Sequence, residues 1–178
     1  KKSTFKNIAF NDVLLSDDGN HAAIAMAVHR LTNKNVQVLS VHLDSDHAYN
    51  REREFQAALG LMVESSAQID IIAGDFNIDI TKANLSQDIT KANFVNVLHE
   101  MGVNEVTSPY LGMYYANSVY GPIDSVLARN VVPNNANVFD FGLFRIYPNK
   151  KDETMRIVAN FQRCGSDHFP ISGTVKID

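Results

Sequence analysis

The stretch Ile69-Asp70-Ile71-Ile72-Ala73-Gly74-Asp75-Phe76-Asn77 joins a short apolar run to a polar end. A run of this length that finishes at a glycine predicts a buried strand. Gly74 permits a sharp exit, after which Asp75 and Asn77 are able to face the same opening. Asp and Asn after a strand are also common turn formers, so this pattern alone predicts a simple turn equally well.

An amphipathic helix is predicted before this strand, between Asn50 and Ala67. The segment Val36 to Leu43 is predicted to be an earlier strand, and the order strand, helix, strand favours a parallel pair with a right-handed crossover. One helical stripe carries the apolar residues Phe55, Ala58, Leu59, Met62 and Val63, and the charged residues Arg51, Glu52, Glu54 and Glu64 lie off it.

The rest of the chain predicts a mixed sheet with one more helix. A mixture of apolar and polar residues before a turn cluster predicts a strand at Phe5 to Leu15, and an alternating pattern predicts one at Ala22 to Arg30, which forms an antiparallel hairpin with Val36 to Leu43. A helix is predicted near Ile89 to Met101, and strands at Ile123 to Ala128, Val138 to Tyr147 and Ile171 to Ile177. The hexapeptide Asp79–Asn84 recurs as Asp88–Asn93, which is interpreted as a local duplication that lengthens a loop.

The composition limits the class of protein. With 178 residues, of which 45% are hydrophobic, the chain suits one domain with a sizeable core. A formal net charge of -4 gives no overall basic field that would attract nucleic acid or acidic membranes, although a bound metal supplies positive charge locally. The single cysteine, Cys164, excludes an intrachain disulfide. No apolar run approaches the length of a membrane span, so a soluble protein is expected, in no particular compartment.

Three further polar positions lie at predicted strand ends. Asp124 begins an apolar strand, Asp167 and His168 directly precede the last strand, and His42 ends the strand Val36 to Leu43. Each has an ordinary structural interpretation, as a solvated strand end or a loop. If the strands ending at His42 and Gly74 are parallel, however, those ends share one edge of the sheet, and strands running the opposite way begin there. The topology therefore predicts that these sites come together.

These motifs, in this order, resemble the endonuclease/exonuclease/phosphatase superfamily, which is deoxyribonuclease I-like. The resemblance spans roughly Ala22 to Ile177. It rests on His42-Leu43, Arg53-x-x-Gln56, Gly74-Asp75-Phe76-Asn77, Ile123-Asp124 and Ser166-Asp167-His168-Phe169-Pro170. It implies an α+β fold, a four-layered α/β/β/α sandwich of two mixed sheets flanked by helices, with the active site at the rim.

The resemblance also implies a role for each residue. Asp75 would position or activate the attacking water, and Asn77 would hydrogen-bond a phosphate oxygen. Asp167, together with Asp75, would bind a divalent metal, usually Mg²⁺, with Mn²⁺ as a substitute. His168, oriented by Asp124, would contact the phosphate or transfer a proton, and His42 would be a second imidazole on the phosphate. Arg53 and Gln56 are interpreted as structural.

The expected function is metal-dependent hydrolysis of phosphoesters by direct water attack, with nuclease-like phosphodiesters slightly favoured. The alternatives are a lipid or inositol phosphate phosphoesterase, or a non-catalytic binding module on the same fold. Complete members of the superfamily carry an early Asn and a metal-binding Glu, and neither motif is found; Glu52 and Glu54 are expected to be solvated. The domain is therefore expected to be incomplete at its amino-terminal side, with the remainder supplied by a missing segment or a separate chain.

Overall fold

The computed structural model describes residues 4–17, 20–81, 83–103, 107, 123–146, 148–166 and 168–177. Its strands are β1 (Phe5–Leu14), β2 (His21–His29), β3 (Asn35–His42), β4 (Ile69–Asp75), β5 (Val95–Asn96), β6 (Asp124–Arg129), β7 (Val132–Val138) and β8 (Ile171–Lys176). Its helices are α1 (Ala48–Val63), α2 (Ala83–Lys91), α3 (Val97–Glu100), α4 (Leu143–Ile146) and α5 (Glu153–Cys164), with a 3₁₀ turn at Lys150–Asp152. None of these helices has both the length and the apolar character needed to cross a bilayer.

Six strands form one mixed sheet in the order β1-β2-β3-β4-β6-β5. Strands β3 and β4 are parallel and joined through α1, whereas β1-β2, β2-β3, β4-β6 and β5-β6 are antiparallel. The predicted hairpin and parallel crossover are therefore confirmed. Strands β7 and β8 form a separate antiparallel pair, so only the larger of the two sheets is mixed within the described residues.

Two clusters of buried hydrophobic residues pack the sheets and helices against one another. The larger includes Leu39 and Ile72 from the sheet, Phe55 and Met62 from α1, and Leu85 from α2. The smaller lies between the two sheets and joins residues of α3 and β6 to residues of β7 and β8. At Gly173 in β8 an added methyl group would come within 3.2 Å of a methyl of Val97 in α3 and 3.6 Å of Val126 in β6, so the second sheet packs closely on α3 and on the first sheet.

The helix predicted at Ile89 to Met101 is wrong in extent. Helix α2 begins earlier and ends at Lys91, because Asn93 adopts a positive φ of 59° and Phe94 N–H donates to the carbonyl of Ile89. A separate short helix, α3, starts after Asn96, whose side chain accepts the backbone N–H of His99. A left-handed residue and a cap thus divide one apolar pattern into two helices.

The strand predicted at Val138 to Tyr147 is also wrong. Positive φ angles at Phe141 (55°) and Gly142 (67°) turn the chain, and the carboxylate of Asp140 accepts the N–H of Gly142. The strand β7 lies earlier, at Val132–Val138, where Pro133 is tolerated because β7 pairs on one side only in the described sheet. Helix α5, at Glu153–Cys164, was not predicted from the sequence.

Candidate active site

The ends of three neighbouring strands place three polar side chains in one row. In the β3–β4 register His42 lies opposite Asp75, and in the β4–β6 register Asp75 lies opposite Asp124. Since β3 and β4 end at this edge and β6 begins there, the row follows from topology, as the sequence predicted. The Nε2 atom of His42 is 3.6 Å from Oδ2 of Asp75.

A fourth side chain, His168, reaches this row from the loop before β8. Its Nδ1 lies 2.9 Å from Oδ2 and 3.1 Å from Oδ1 of Asp124, and its Nε2 lies 3.6 Å from Oδ2 of Asp75. Asp75 Oδ2 is therefore equally distant from the imidazoles of His42 and His168. The His168 side chain is 23% exposed and that of His42 is 75% exposed, so the cluster opens to solvent on the His42 side.

Burial raises the pKa of the Asp75 carboxyl, and the nearby negative charge of Asp124 raises it further. His168, the backbone N–H of Asn77 and His42 act in the opposite direction and stabilise the carboxylate. The N–H of Asn77 donates to Asp75 Oδ1 at 2.7 Å, which leaves Oδ2 directed at the two imidazoles. A carboxylate with a raised pKa beside histidines is a suitable base or water-orienting group.

Asn77 lies beside the cluster, but its side chain is largely enclosed. It is 5% exposed, and its Nδ2 donates to the carbonyl oxygen of Leu43 at 2.8 Å. This bond ties the turn after β4 to the end of β3 and leaves at most the second amide hydrogen for a phosphate. Asn77 also adopts a positive φ of 51°, a conformation that Asn tolerates better than most residues.

Gly74 is required immediately before this turn. It has φ of 140°, and a methyl group at its Cα would collide with the carbonyl oxygen of Val41 in β3. The close approach of the two backbones brings the ends of β3 and β4 together. The sequence predicted a glycine exit here, and the physical reason is this contact between strands.

Three of these residues could hold a cation. One ligand atom from each of Asp75, Asp124 and His168 lies within 4.8 Å of the others. Mg²⁺ is usually bound by one or two carboxylates, with waters and substrate phosphate oxygens completing its octahedron. The donor set therefore fits a hard divalent cation with Asp75 and Asp124 as the carboxylate ligands. Asp167, the other metal ligand predicted from the sequence, lies outside the described residues.

The sequence did not predict that a buried side chain, that of Glu54, stabilises the loop that follows His42. Glu54 was expected to be solvated, and this is wrong, because it is fully buried. Its Oε1 accepts hydrogen bonds from Ser16 and Asn20, and its Oε2 accepts the N–H of Asp44 at 2.7 Å. The sequence signal that could have indicated this burial is the position of Glu54 four residues before the buried Ala58, at the edge of the apolar stripe of α1.

Two other buried residues, both missed, position the segment that carries His168. Thr107 Oγ1 accepts the backbone N–H groups of Ile123 and Asp124, and its carbonyl oxygen accepts the N–H of Phe169. Asn160, on α5, donates its Nδ2 to the carbonyl oxygens of Ser166 and His168. The Thr107 side chain binds residues 16 and 17 positions away, so no local pattern predicts its bonds, and the Asn160 side chain binds carbonyls six and eight positions on, past the end of α5.

The strand order and the helices give the chain a deoxyribonuclease I-like α+β fold. Solved structures with a similar fold include endonuclease/exonuclease/phosphatase family proteins, so the chain has the fold that its motifs predicted. No protein-family model matches the sequence, and no curated protein matches it.

Three solved structures illustrate the similarity. An endonuclease/exonuclease/phosphatase from Bacteroides vulgatus is 14% identical, with a TM-score of 0.70 over 100% of this chain and 68% of its own. The mannosyl-6-phosphatase of Bacteroides thetaiotaomicron VPI-5482 is 12% identical, with a TM-score of 0.65 over 99% of this chain and 69% of its own. D. rerio TDP2, complexed with a single strand DNA product, is 16% identical, with a TM-score of 0.62 over 97% of this chain and 68% of its own.

Proposed function

We propose that this chain carries the catalytic residues of a divalent-metal-dependent hydrolase that cleaves phosphoesters by direct water attack. The observation that supports this most is the position of Asp75, whose Oδ2 lies 3.6 Å from Nε2 of both His42 and His168. The similarity of the fold to a sugar phosphatase and to TDP2 with its DNA product gives independent support.

Asp75 orients the attacking water and accepts its proton. Without a bound cation, burial raises the pKa of Asp75, so its conjugate acid forms more readily than that of an exposed aspartate. His168 faces the phosphate through Nε2, because Asp124 holds its Nδ1. This imidazole donates a hydrogen bond to a phosphate oxygen or protonates the leaving group, and His42 contacts the phosphate from the open side.

Magnesium is the proposed cation, with Mn²⁺ as a substitute. Asp75 and Asp167 are the proposed ligands from the sequence, and the ligand atoms of Asp75, Asp124 and His168, which lie within 4.8 Å of one another, support a cation site here. When bound, the cation supplies positive charge that offsets the charge developing on the phosphate. The protein itself has a formal net charge of -4, so it does not supply that charge by its overall composition.

The preferred substrate class is a nuclease-like phosphodiester, with lipid and inositol phosphates as the alternative. The motif Ser166-Asp167-His168-Phe169-Pro170 favours the first class on sequence resemblance. A non-catalytic binding module is a further alternative. The chain retains Asp75, Asn77, Asp124, Asp167 and His168 together, which a module without catalysis would not need.

The experiment is magnesium-dependent hydrolysis of bis-p-nitrophenyl phosphate, plasmid DNA and a panel of lipid and inositol phosphates. It compares the longest natural polypeptide that contains the chain with its His168→Ala variant and with His99→Ala, a matched histidine on α3 outside the cluster. We expect hydrolysis that EDTA abolishes, that His168→Ala removes and that His99→Ala retains. Specific Mg²⁺ binding without turnover of any substrate would favour the binding module.

We also propose that the active protein includes a further segment of the same fold. The alignments with these three solved structures include 97–100% of this chain but only 68–69% of the length of each of those proteins. Helix α5 exposes an apolar stripe, with Met155 53%, Val158 47% and Phe161 60% exposed, that such a segment would cover. Hydrogen exchange in α5 should be slower in the longest natural polypeptide containing the chain than in the chain alone, and equal exchange would contradict this.

A further inference from the structure

A concave pocket of about 310 Å³ lies between the start of α1, the turn that follows Asp75 at the end of β4, and the start of α2. Its apolar lining consists of Ala48, Phe55, Ile78 and Leu85. Phe55 and Leu85 are buried, at 1% and 7% exposure, so they form the floor, and Ala48 is exposed at the rim. This volume is at the lower end of the range of small-molecule pockets, roughly 300–1,000 Å³.

Three polar residues complete the lining: Arg51, Glu52 and Asn84. Glu52 and Asn84 are exposed. Arg51 Nη1 donates to the carbonyl oxygens of Asp44 at 2.7 Å and Ser45 at 3.1 Å, whereas its Nε is buried and has no hydrogen-bond partner among the described residues. The guanidinium plane is thus fixed at one side of an otherwise mostly apolar space.

The pocket and the candidate active site share their backbone. Ile78 directly follows Asn77, whose N–H is bonded to the Asp75 carboxylate at 2.7 Å. On the other side, Arg51 holds the carbonyls of the loop that begins after His42, and Nδ2 of Asn77 holds the carbonyl of Leu43 in that loop. The pocket and the candidate active site are therefore connected through both of these loops.

The duplicated hexapeptide explains how α2 is held at one side of the pocket. In its first copy Asp79 Oδ1 accepts the N–H and the hydroxyl of Thr81, and α2 begins at Ala83; in its second copy α2 ends at Lys91. The isoleucine of each copy, Ile80 and Ile89, is buried at 1% and 5% exposure. The duplication thus anchors α2 at both ends and presents Leu85 between them to the pocket.

We propose that this pocket binds an aromatic ring carried by the phosphoester substrate. The inference rests on the proposed function of the neighbouring cluster. A ring fits the small volume and the apolar floor, and a guanidinium held in one plane stacks well on an aromatic face. The few polar groups in the lining favour a phenyl-like ring over a hydrogen-bonding sugar.

The test is calorimetric binding of phenylphosphonate and methylphosphonate, in Mg²⁺, to the longest natural polypeptide that contains the chain. Both ligands present the same phosphonate group, and only one presents a ring. We expect phenylphosphonate to bind at least about tenfold more tightly, because the ring leaves water. Ala48→Phe, which fills the pocket, should abolish that ratio, and Glu64→Phe, with the same bulk at the other end of α1, should retain it.

A second measurement separates the pocket from the phosphate site. Methyl NMR signals of Ile78 and Leu85 are followed during titration with benzyl alcohol, which has a ring and no phosphate. We expect both signals to shift in the wild type and not in Ala48→Phe. Equal binding of the two phosphonates, or methyl signals that do not move, would overturn the pocket proposal and leave the proposed function standing. If the methyl signals move but neither phosphonate binds, the phosphate site is contradicted instead.

Discussion

His168 Nδ1 lies 2.9 Å from Oδ2 of Asp124, although the two residues are 44 positions apart. Asp124 begins β6, and His168 lies in the loop before β8. Because Asp124 holds Nδ1, the nitrogen that faces Asp75 is Nε2, at 3.6 Å. The pair thus determines which ring atom is available to a substrate.

Asp124→Asn should lower kcat by about 10²–10⁴-fold, since an amide neither fixes the required tautomer of His168 nor stabilises its protonated form. The measurement is hydrolysis of bis-p-nitrophenyl phosphate at saturating Mg²⁺. Ser125→Ala is the matched control, because Ser125 follows Asp124 in β6 and donates instead to Asn96. Equal rates for Asp124→Asn and wild type would show that the pair does not act in the reaction.

Asp75→Asn should raise the melting temperature at pH 7 in EDTA. The folded-state pKa of Asp75 is raised above its ordinary value of 3.8, so the charged carboxylate destabilises the folded state at neutral pH. As the pH falls through the folded pKa toward 3.8, the carboxyl is protonated and that penalty is lost. The stability difference between wild type and variant should therefore shrink over this range, and a constant difference would contradict it.

Asp44→Asn should lower stability at neutral pH by on the order of 1 kcal/mol. The backbone N–H of His47 is the main cause that lowers the pKa of Asp44 to about 2, with smaller contributions from Asn50 and the N–H of Asp46. Because the folded pKa is depressed, this stability is present above the ordinary value of 3.8 and is lost as the pH falls toward about 2. Chemical denaturation from pH 7 to pH 2 checks this, and a pH-independent effect of the substitution would argue against it.

Arg129→Met should destabilise the protein by roughly 3–5 kcal/mol, because it leaves the charge of Asp70 buried and unpaired. Arg129 Nη2 lies 2.6 Å from Oδ2 of Asp70, and the two side chains are 13% and 0% exposed. The double variant Asp70→Leu/Arg129→Met should lose less than the single variant. Urea unfolding measures these two variants and Asp70→Leu. A loss in the double variant equal to the sum of the two single losses would show that the pair is not coupled.

Features that depend on local pattern could be predicted from the sequence. The strand from Ile69 to Asp75 followed from its apolar run and glycine exit, and α1 followed from its stripe. The approach of His42 to Asp75 and of Asp75 to Asp124 followed from topology, because parallel and antiparallel strand ends meet at one edge.

Features that depend on distant partners could not be predicted. Glu54 is buried because Ser16, Asn20 and Asp44 N–H surround it, and only the fold assembles those three. Helix α2 stops where Asn93 adopts a left-handed conformation, which the apolar spacing does not show. The identical hexapeptides adopt different structures for the same reason, since their surroundings differ.

The most direct test compares magnesium-dependent hydrolysis of bis-p-nitrophenyl phosphate by the longest natural polypeptide that contains this chain with hydrolysis by its Asp75→Asn variant. We expect a rate that EDTA abolishes, that Asp75→Asn reduces to background and that His99→Ala leaves intact. Wild-type activity that survives Asp75→Asn would contradict the role of this cluster, and so would the absence of hydrolysis from a folded wild-type protein.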